Sequence, residues 1–497
     1  MAEFQHPFQT LTIVTRQSNG HSDVLVAAAG PYLYSYAAKS GQRLAVWPKH
    51  IDPSHTVAAL PTSDVDGQAP PGKKIKLSPV EDGADNGSVP SKSDSNGSLT
   101  TWTNIPILLS TSNGKHVVAM TAEDKCIRVF EISEAGEFLQ LSARNMAKKP
   151  CALDLTADDQ IILCADKFGD VYSLPLIPGE YVKPKTQAKK TKPVATPLTV
   201  HSKRNLRSLE QQHLQAERAE KTQEEPEEKT VLNFEHELIL GHVSMLTDIV
   251  AVTLPSTEGN HSRNYILTAD RDEHIRISRG IPQAHIIEQY CLGHRSLITK
   301  LYVPPWAPHV LVSGGGEGHL LSWNWSEGRI HQTVPLDEVP EEAVVSGIWG
   351  TEVKSATGSA QVIFVAIESS PRLLCFTFES DYTLKLHSHL QLSGNVLDLV
   401  TSGPNGSLIA SIDAVREQGT GGSWRTSAVS PQTLAERIQL ELSSDVLSIS
   451  AGQDSITESL NAAGTSNIPA TLDAKQRKAL DDTVYNLGNL RKRTFDD

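Results

Sequence analysis

Two consecutive stretches of this chain carry the same frame of residues, and that repetition limits the folds open to it more than any other feature. The first opens at Gly241-His242, passes Asp248 and reaches LTADRDEHIRIS, Leu267 to Ser278. The second opens at Gly293-His294 and ends in LVSGGGEGHLLSW, Leu311 to Trp323. A unit of this length makes one small antiparallel sheet, which cannot bury its own apolar face, so such units stack on one another or close into a ring.

The spacing within the frame has a mechanical reading. Thr268 and Ser313 stand four residues before Asp272 and Glu317, and Ser278 and Trp323 stand six residues after them. This is the frame of a WD-type repeat. A Gly-His pair lies on the loop before a strand, a carboxylate sits in the tight turn between two later strands, and a hydroxyl or indole on the next strand bonds behind that turn. Asp272 and Glu317 are therefore expected to brace turns, with His242 and His294 completing a structural hydrogen-bond set. In HIRIS, Ile275 and Ile277 alternate with His274, Arg276 and Ser278, the period of a half-buried strand. Arg276 is expected to point outward.

Weaker copies fit the same frame. VVAMTAEDKCIRVF (Val117 to Phe130) puts Asp124 in the turn and Phe130 in the tryptophan position; IILCADKFGDVYSL (Ile161 to Leu174) has Phe168 at the carboxylate position. DVLVAAAGPYLYSY (Asp23 to Tyr36) has two β-rich runs broken at Gly30-Pro31, and Val362 to Phe378 and Val396 to Asp413 suggest two more units. The expected fold is all-β, a WD-repeat β-propeller of about seven four-stranded blades. Residues 1–53 supply the first blade region, 101–180 and 231–430 further blades, and 431–497 the closure and tail.

Two segments interrupt the pattern. Residues 54–100 are rich in Pro, Gly, Ser, Asp and Asn, too poor in large apolar side chains to offset the entropy of ordering. Residues 181–230 start basic and end acidic around SLEQQHLQAERAE (Ser208 to Glu220), a composition that favours a short helix. Lys73-Lys74-Ile75-Lys76-Leu77 has the form of a nuclear import signal, and the nucleus is the expected compartment; the same lysines would equally keep a loop solvated. No apolar run approaches the roughly 20 residues that cross a bilayer, and MAEFQHPFQT lacks the regions of a secretory signal, so an intracellular protein away from membranes is expected.

Charge and composition narrow the chemistry. With 58 acidic against 45 basic residues, the net charge of −13 argues against a surface that grips nucleic acid throughout. The basic stretch of 181–230 lacks aromatic residues after Tyr181 to stack bases. Cys126, Cys151, Cys164, Cys291 and Cys375 are scattered without metal-ligand spacing and read as reduced, buried thiols. SGGGEG (Ser313 to Gly318) lacks the Lys-Ser/Thr of a phosphate loop and leads into a strand. His242 and His294, near carboxylates and hydroxyls, invite a hydrolase reading, but the repeat frame places them as structure. No catalytic, cofactor-binding or metal site is expected, which leaves an interaction platform.

TADRDEHIRISR (Thr268 to Arg279), PQAHIIEQYCLGH (Pro282 to His294) and LVSGGGEGHLLSWNW (Leu311 to Trp325) closely resemble the WD-repeat, non-catalytic subunit of the eukaryotic, fungal-like tRNA (guanine-N(7)-)-methyltransferase. ADKFGDVYSLPL (Ala165 to Leu176) and YNLGNLRKR (Tyr485 to Arg493) extend the likeness. The resemblance implies a one-to-one complex with a catalytic methyltransferase subunit that holds S-adenosylmethionine and methylates a guanosine of the tRNA variable loop, with tRNA reached through the complex. It also implies a docking region at Arg276, the expected ion-pairing residue, with Arg271, Glu273 and His274 beside it. The alternative from the fold alone is a scaffold of chromatin or ubiquitin-ligase assemblies.

Overall fold

The computed structural model describes residues 4–16, 22–49, 102–179, 232–255 and 262–491, apart from short loop positions at 337–338, 341–342, 356–357, 404, 428–431 and 444–445, together with Arg207 and Gln211. The import-signal lysines and nearly all of the helix expected at 208–220 lie outside these residues.

The described residues build seven antiparallel sheets of four strands, each drawn from its own run of sequence. Blade 1 is β1 (Thr10–Val14), β2 (Val24–Ala29), β3 (Tyr32–Ala37) and β4 (Arg43–Trp47); blade 2 is β5 (Ile107–Ser110), β6 (His116–Thr121), β7 (Cys126–Ile132) and β8 (Phe138–Asn145). Blade 3 comprises β9 (Pro150–Leu155), β10 (Ile161–Asp166), β11 (Asp170–Pro175) and, beyond the charged insertion, β12 (Glu237–Gly241). Blade 4 is β13 (Leu246–Leu254), β14 (Arg263–Asp270), β15 (His274–Arg279) and β16 (Ile287–Leu292); blade 5 is β17 (Ile298–Tyr302), β18 (Val310–Gly315), β19 (His319–Asn324) and β20 (Arg329–Pro335). Blade 6 is β21 (Val345–Lys354), β22 (Ser359–Ile367), β23 (Arg372–Phe378) and β24 (Leu384–Gln391), and blade 7 is β25 (Asn395–Thr401), β26 (Leu408–Asp413), β27 (Ala435–Ser443) and β28 (Val446–Gly452). All seven units expected from the repeat frame are present. Blade 7 runs past residue 430, so its two outer strands fall in the segment read as closure.

The first strand of each blade lies innermost, and these seven adjoin in a closed cycle from β1 through β5, β9, β13, β17, β21 and β25 back to β1. Each gap between neighbouring blades holds its own apolar core. Leu267, Ile275 and Ile277 of blade 4, for example, pack with Leu311, Leu321 and Trp323 of blade 5. A blade thus buries its face only against its neighbours, the arrangement the repeat requires.

Among the described residues, no strand is exchanged to close the ring. Residues at the N-terminus run beside the segment after α1 (Ser455–Ala463), with Ile468 N donating to Phe4 O at 2.6 Å and His6 N to Ser466 O at 3.0 Å. Leu460 of α1 enters the core between blades 7 and 1 with Phe8, Tyr36 and Ile409. A second helix, α2 (Ala474–Val484), follows. Both helices start at an aspartate in a reciprocal capping box, Asp454 and Asp473.

Three aspartates latch inner strands together around the axis. Asp154 Oδ2 accepts from Ala251 N at 2.7 Å, Asp248 Oδ2 from Leu301 N at 2.8 Å, and Asp398 Oδ2 from Leu11 N at 2.7 Å. Burial raises all three carboxyls, Asp154 to about 7 despite the amides of Ala251 and Leu155. A carboxyl raised in the folded state favours folding while protonated and loses that contribution as pH climbs through its folded value. Between about pH 4 and pH 7, Asp154 should therefore lower stability with rising pH, by up to about 1.4 kcal/mol per pH unit. Urea midpoints across that range should fall less steeply in Asp154→Asn; parallel slopes in the two proteins would refute the assignment.

Candidate partner-docking surface

Blade 5 assembles the complete structural set of the repeat. His294 Nε2 lies 2.6 Å from Ser313 Oγ, which also accepts the Trp323 indole N–H at 2.8 Å. Glu317 sits 3.4 Å from His294 Nδ1, accepts from Arg295 N and Ser296 N, and meets His319 Nε2 at 2.7 Å. Burial pushes the Glu317 carboxyl up, but the bond from His294, the backbone amides and the His294 charge outweigh it and bring it to about 2. Glu317 thus anchors the loop carrying His294, and every member of the set is buried. The hydrolase reading of these groups has no exposed nucleophile to support it.

Blade 4 uses the frame differently. His242 Nε2 lies 2.9 Å from Thr268 Oγ1, and Nδ1 lies 3.0 Å from Gly169 O in the turn of blade 3. Buried Ser278 stands where blade 5 has Trp323. The turn between β14 and β15 is braced two residues earlier than the sequence frame suggests: Asp270 Oδ1 accepts from Asp272 N at 2.8 Å and His274 N at 3.0 Å. Asp272 lies in the turn with its carboxylate partly exposed, 3.9 Å from Arg271 Nε. Blade 3 repeats the device, with Asp166 Oδ1 receiving Phe168 N and Asp170 N at 2.7 and 3.1 Å. A short carboxylate at a strand end is well placed to receive amides two and four residues ahead, whereas one at the turn apex is not.

The residues expected to dock a partner share this hairpin. Arg271 and Glu273 lie in the turn, Glu273 at a φ of +76°; His274 begins β15, its ring 3.5 Å from Asp270; Arg276 follows two positions on. The face bearing His274, Arg276 and Ser278 passes from exposed to half-buried to buried. Ile275 and Ile277 lie in the core, while Ser278 does not face solvent as alternation alone suggested.

Arg276 and its structural counterpart in blade 2 differ in what satisfies their charge. Arg128 pairs with Asp124 at 2.5 Å and lies over Trp102, 4.2 Å from the ring centre. Arg276 instead donates from Nε to Ser278 Oγ at 3.1 Å and from Nη1 to Gly241 O at 3.0 Å, with no carboxylate paired to it among the described residues. Burial lowers its pKa, and Tyr290 partly offsets the shift. Arg276 is a half-buried cation held in place by neutral acceptors.

Sequence reasoning noted Phe168 without recognising it as surface. Its ring is 53 % exposed, with Lys148 Nζ 4.3 Å and Lys167 Nζ 5.4 Å from its centre. Val243, fully exposed, stands on the neighbouring loop. Gly169 fastens the two loops: it has a φ of +94°, its carbonyl accepts from His242 N at 2.8 Å, and a Cβ there would lie 2.5 Å from His242 O. An aromatic residue at a position that usually carries a carboxylate was the available signal.

Residues 25–438 match the family described as the tRNA methyltransferase TRM82 WD40 domain. The chain belongs to this family. A tRNA (guanine-N(7)-)-methyltransferase non-catalytic subunit trm82 of Aspergillus fumigatus is 49 % identical, covering 100 % of this chain and 99 % of the relative. The TRM82 subunit of Coccidioides immitis is 38 % identical over 95 % of each chain, and that of Sclerotinia sclerotiorum 36 % identical, covering 94 % of this chain and 96 % of the relative. The match to the family spans both strong repeats and the blade 3 and blade 4 hairpins.

Proposed function

We propose that this chain is the non-catalytic subunit of a tRNA (guanine-N(7)-)-methyltransferase, a propeller that binds the catalytic subunit and keeps it productive for 7-methylguanosine formation in tRNA. The family match across nearly the whole ring carries this reading. Arg276 anchors the docking, because the structure supplies it with neutral acceptors and leaves its charge for a carboxylate of the partner. Arg271, Glu273 and His274 line the same hairpin, and tRNA is engaged through the assembled complex. Nuclear residence belongs to the same proposal and rests on Lys73–Leu77; imaging a tagged chain with Lys73, Lys74 and Lys76 replaced by alanine checks it.

The test is tRNA guanine-N(7) methylation by the purified catalytic subunit, alone and with this chain. A stable complex with increased methylation is expected. No complex and no stimulation would reject the reading in favour of a general scaffold.

A further inference from the structure

Beyond blade 7, the chain returns across the face of the ring that carries the turns between second and third strands, and a short strap after α2 settles over blades 6 and 7. Tyr485 donates its hydroxyl hydrogen to Asp413 Oδ2 at 2.6 Å and accepts from Asn395 Nδ2 at 3.2 Å, with the Arg416 guanidinium 5.4 Å from its ring centre. Glu368, in the turn between β22 and β23, receives two successive backbone amides: Leu487 N on Oε1 at 2.7 Å and Gly488 N on Oε2 at 2.9 Å. Upstream, Asp481 Oδ1 accepts from Arg416 Nε at 2.8 Å and Trp424 Nε1 at 2.9 Å. Gly421 makes room for the tyrosine, since a Cβ there would stand 3.2 Å from its ring.

The two sides of this contact differ in character. On the receiving side, Asn395, Asp413 and Arg416 are buried, and Asp413 Oδ2 pairs with Arg416 Nη1 at 3.1 Å independently of any strap atom. On the strap side, no residue of α2 or of the described segment after it is fully buried. A buried polar pocket for one aromatic hydroxyl, joined to a carboxylate that clamps consecutive amides, is how peptides are recognised: an aromatic anchor sets specificity and backbone bonds set register. The strap also lines one side of the axial cavity of about 550 Å³, between Thr483 and Leu487.

We infer that this surface is a peptide-binding site, selective for a tyrosine followed by two free backbone amides two and three residues on, which the chain fills in cis with Tyr485–Gly488. Tethering gives the strap a high effective concentration, so the intact chain excludes the same peptide from solution. The site lies over blades 6 and 7, away from the Arg276 hairpin of blade 4, and does not depend on the methyltransferase reading.

The test uses full-length protein and a fluorescein-labelled peptide of residues 481–491, followed by fluorescence anisotropy. Tyr485→Ala removes the anchor; Leu487→Pro, at a φ of −69° that proline accepts, removes one clamped amide. Wild type should show no saturable binding, and both released variants should bind the peptide. Adding Glu368→Ala, or using a peptide with Tyr485→Phe, should weaken binding roughly tenfold. Folded released variants that ignore the peptide, or bind it equally with Glu368→Ala, would overturn the inference. Failure of both variants to fold would overturn it too, because a strap the ring cannot fold without is part of the fold and not a ligand.

Discussion

Trp323→Ala should cost the propeller about 3–5 kcal/mol, read as a lowered urea midpoint with an unchanged fold at zero denaturant. Trp323 is fully buried in the core between blades 4 and 5, pressed against Gly293, where a Cβ would lie 2.9 Å from the indole. Truncation opens a cavity in a close-packed interior and removes the donor to Ser313 Oγ. His294 loses packing as well, because the imidazole centre lies 6.0 Å from the indole. Trp323→Phe separates the two contributions: it keeps most of the volume and should recover all but about 1–2 kcal/mol of the loss. At the matching position of blade 4, Ser278→Ala opens no large cavity and should cost less, about 1–3 kcal/mol, chiefly because Arg276 Nε loses its acceptor. A Trp323→Ala protein within about 1 kcal/mol of wild type would show that the indole is not a keystone of this blade.

What the sequence disclosed and what it hid follow from the range of the interactions. The second and third strands of blades 1 to 6 were legible because their pattern is local: Val117 to Phe130 and Ile161 to Leu174 each hold two strands around one turn, and the apolar alternation survives even where the tryptophan is absent; in blade 7 the first two strands were read and the third was not. The brace of blade 4 is Asp270, two residues before the position the repeat spacing assigned, and that of blade 3, Asp166, was not assigned at all, because only the amide geometry shows which carboxylate receives the turn N–H groups. The aspartate latches were invisible for another reason. Asp154 bonds a residue 97 positions away and Asp398 one 387 positions away, and no local period encodes such partners. Ring closure by residues 4–8 and 464–468 and the strap over Glu368 belong to the same class. The hairpin proposed for docking was singled out through family resemblance, whereas the contrast between Arg276 and Arg128 needed both guanidinium environments side by side.

Arg276→Glu should sharply weaken assembly with the catalytic subunit while the propeller remains folded. Truncating one partner of a desolvated charge pair costs about 2–5 kcal/mol, and reversing the charge adds repulsion, so affinity should fall at least about thirtyfold and methylation with it. Because Arg276 is half-buried and fixed by Ser278 and Gly241, the loss should fall chiefly on the dissociation rate; a rim charge would act mainly on association and be strongly salt-sensitive. Two controls separate docking from structure. Arg329→Glu, on an outer strand with its side chain 80 % exposed, should leave assembly untouched. Asp270→Ala removes the acceptor of two turn amides and should lower stability more than Asp272→Ala, which leaves that brace in place. If Arg276→Glu binds and stimulates the catalytic subunit as wild type does, the docking face must lie elsewhere on the ring. The exposed Phe168 and Val243, fastened to the same hairpin through Gly169 and His242, would then be the next residues to replace.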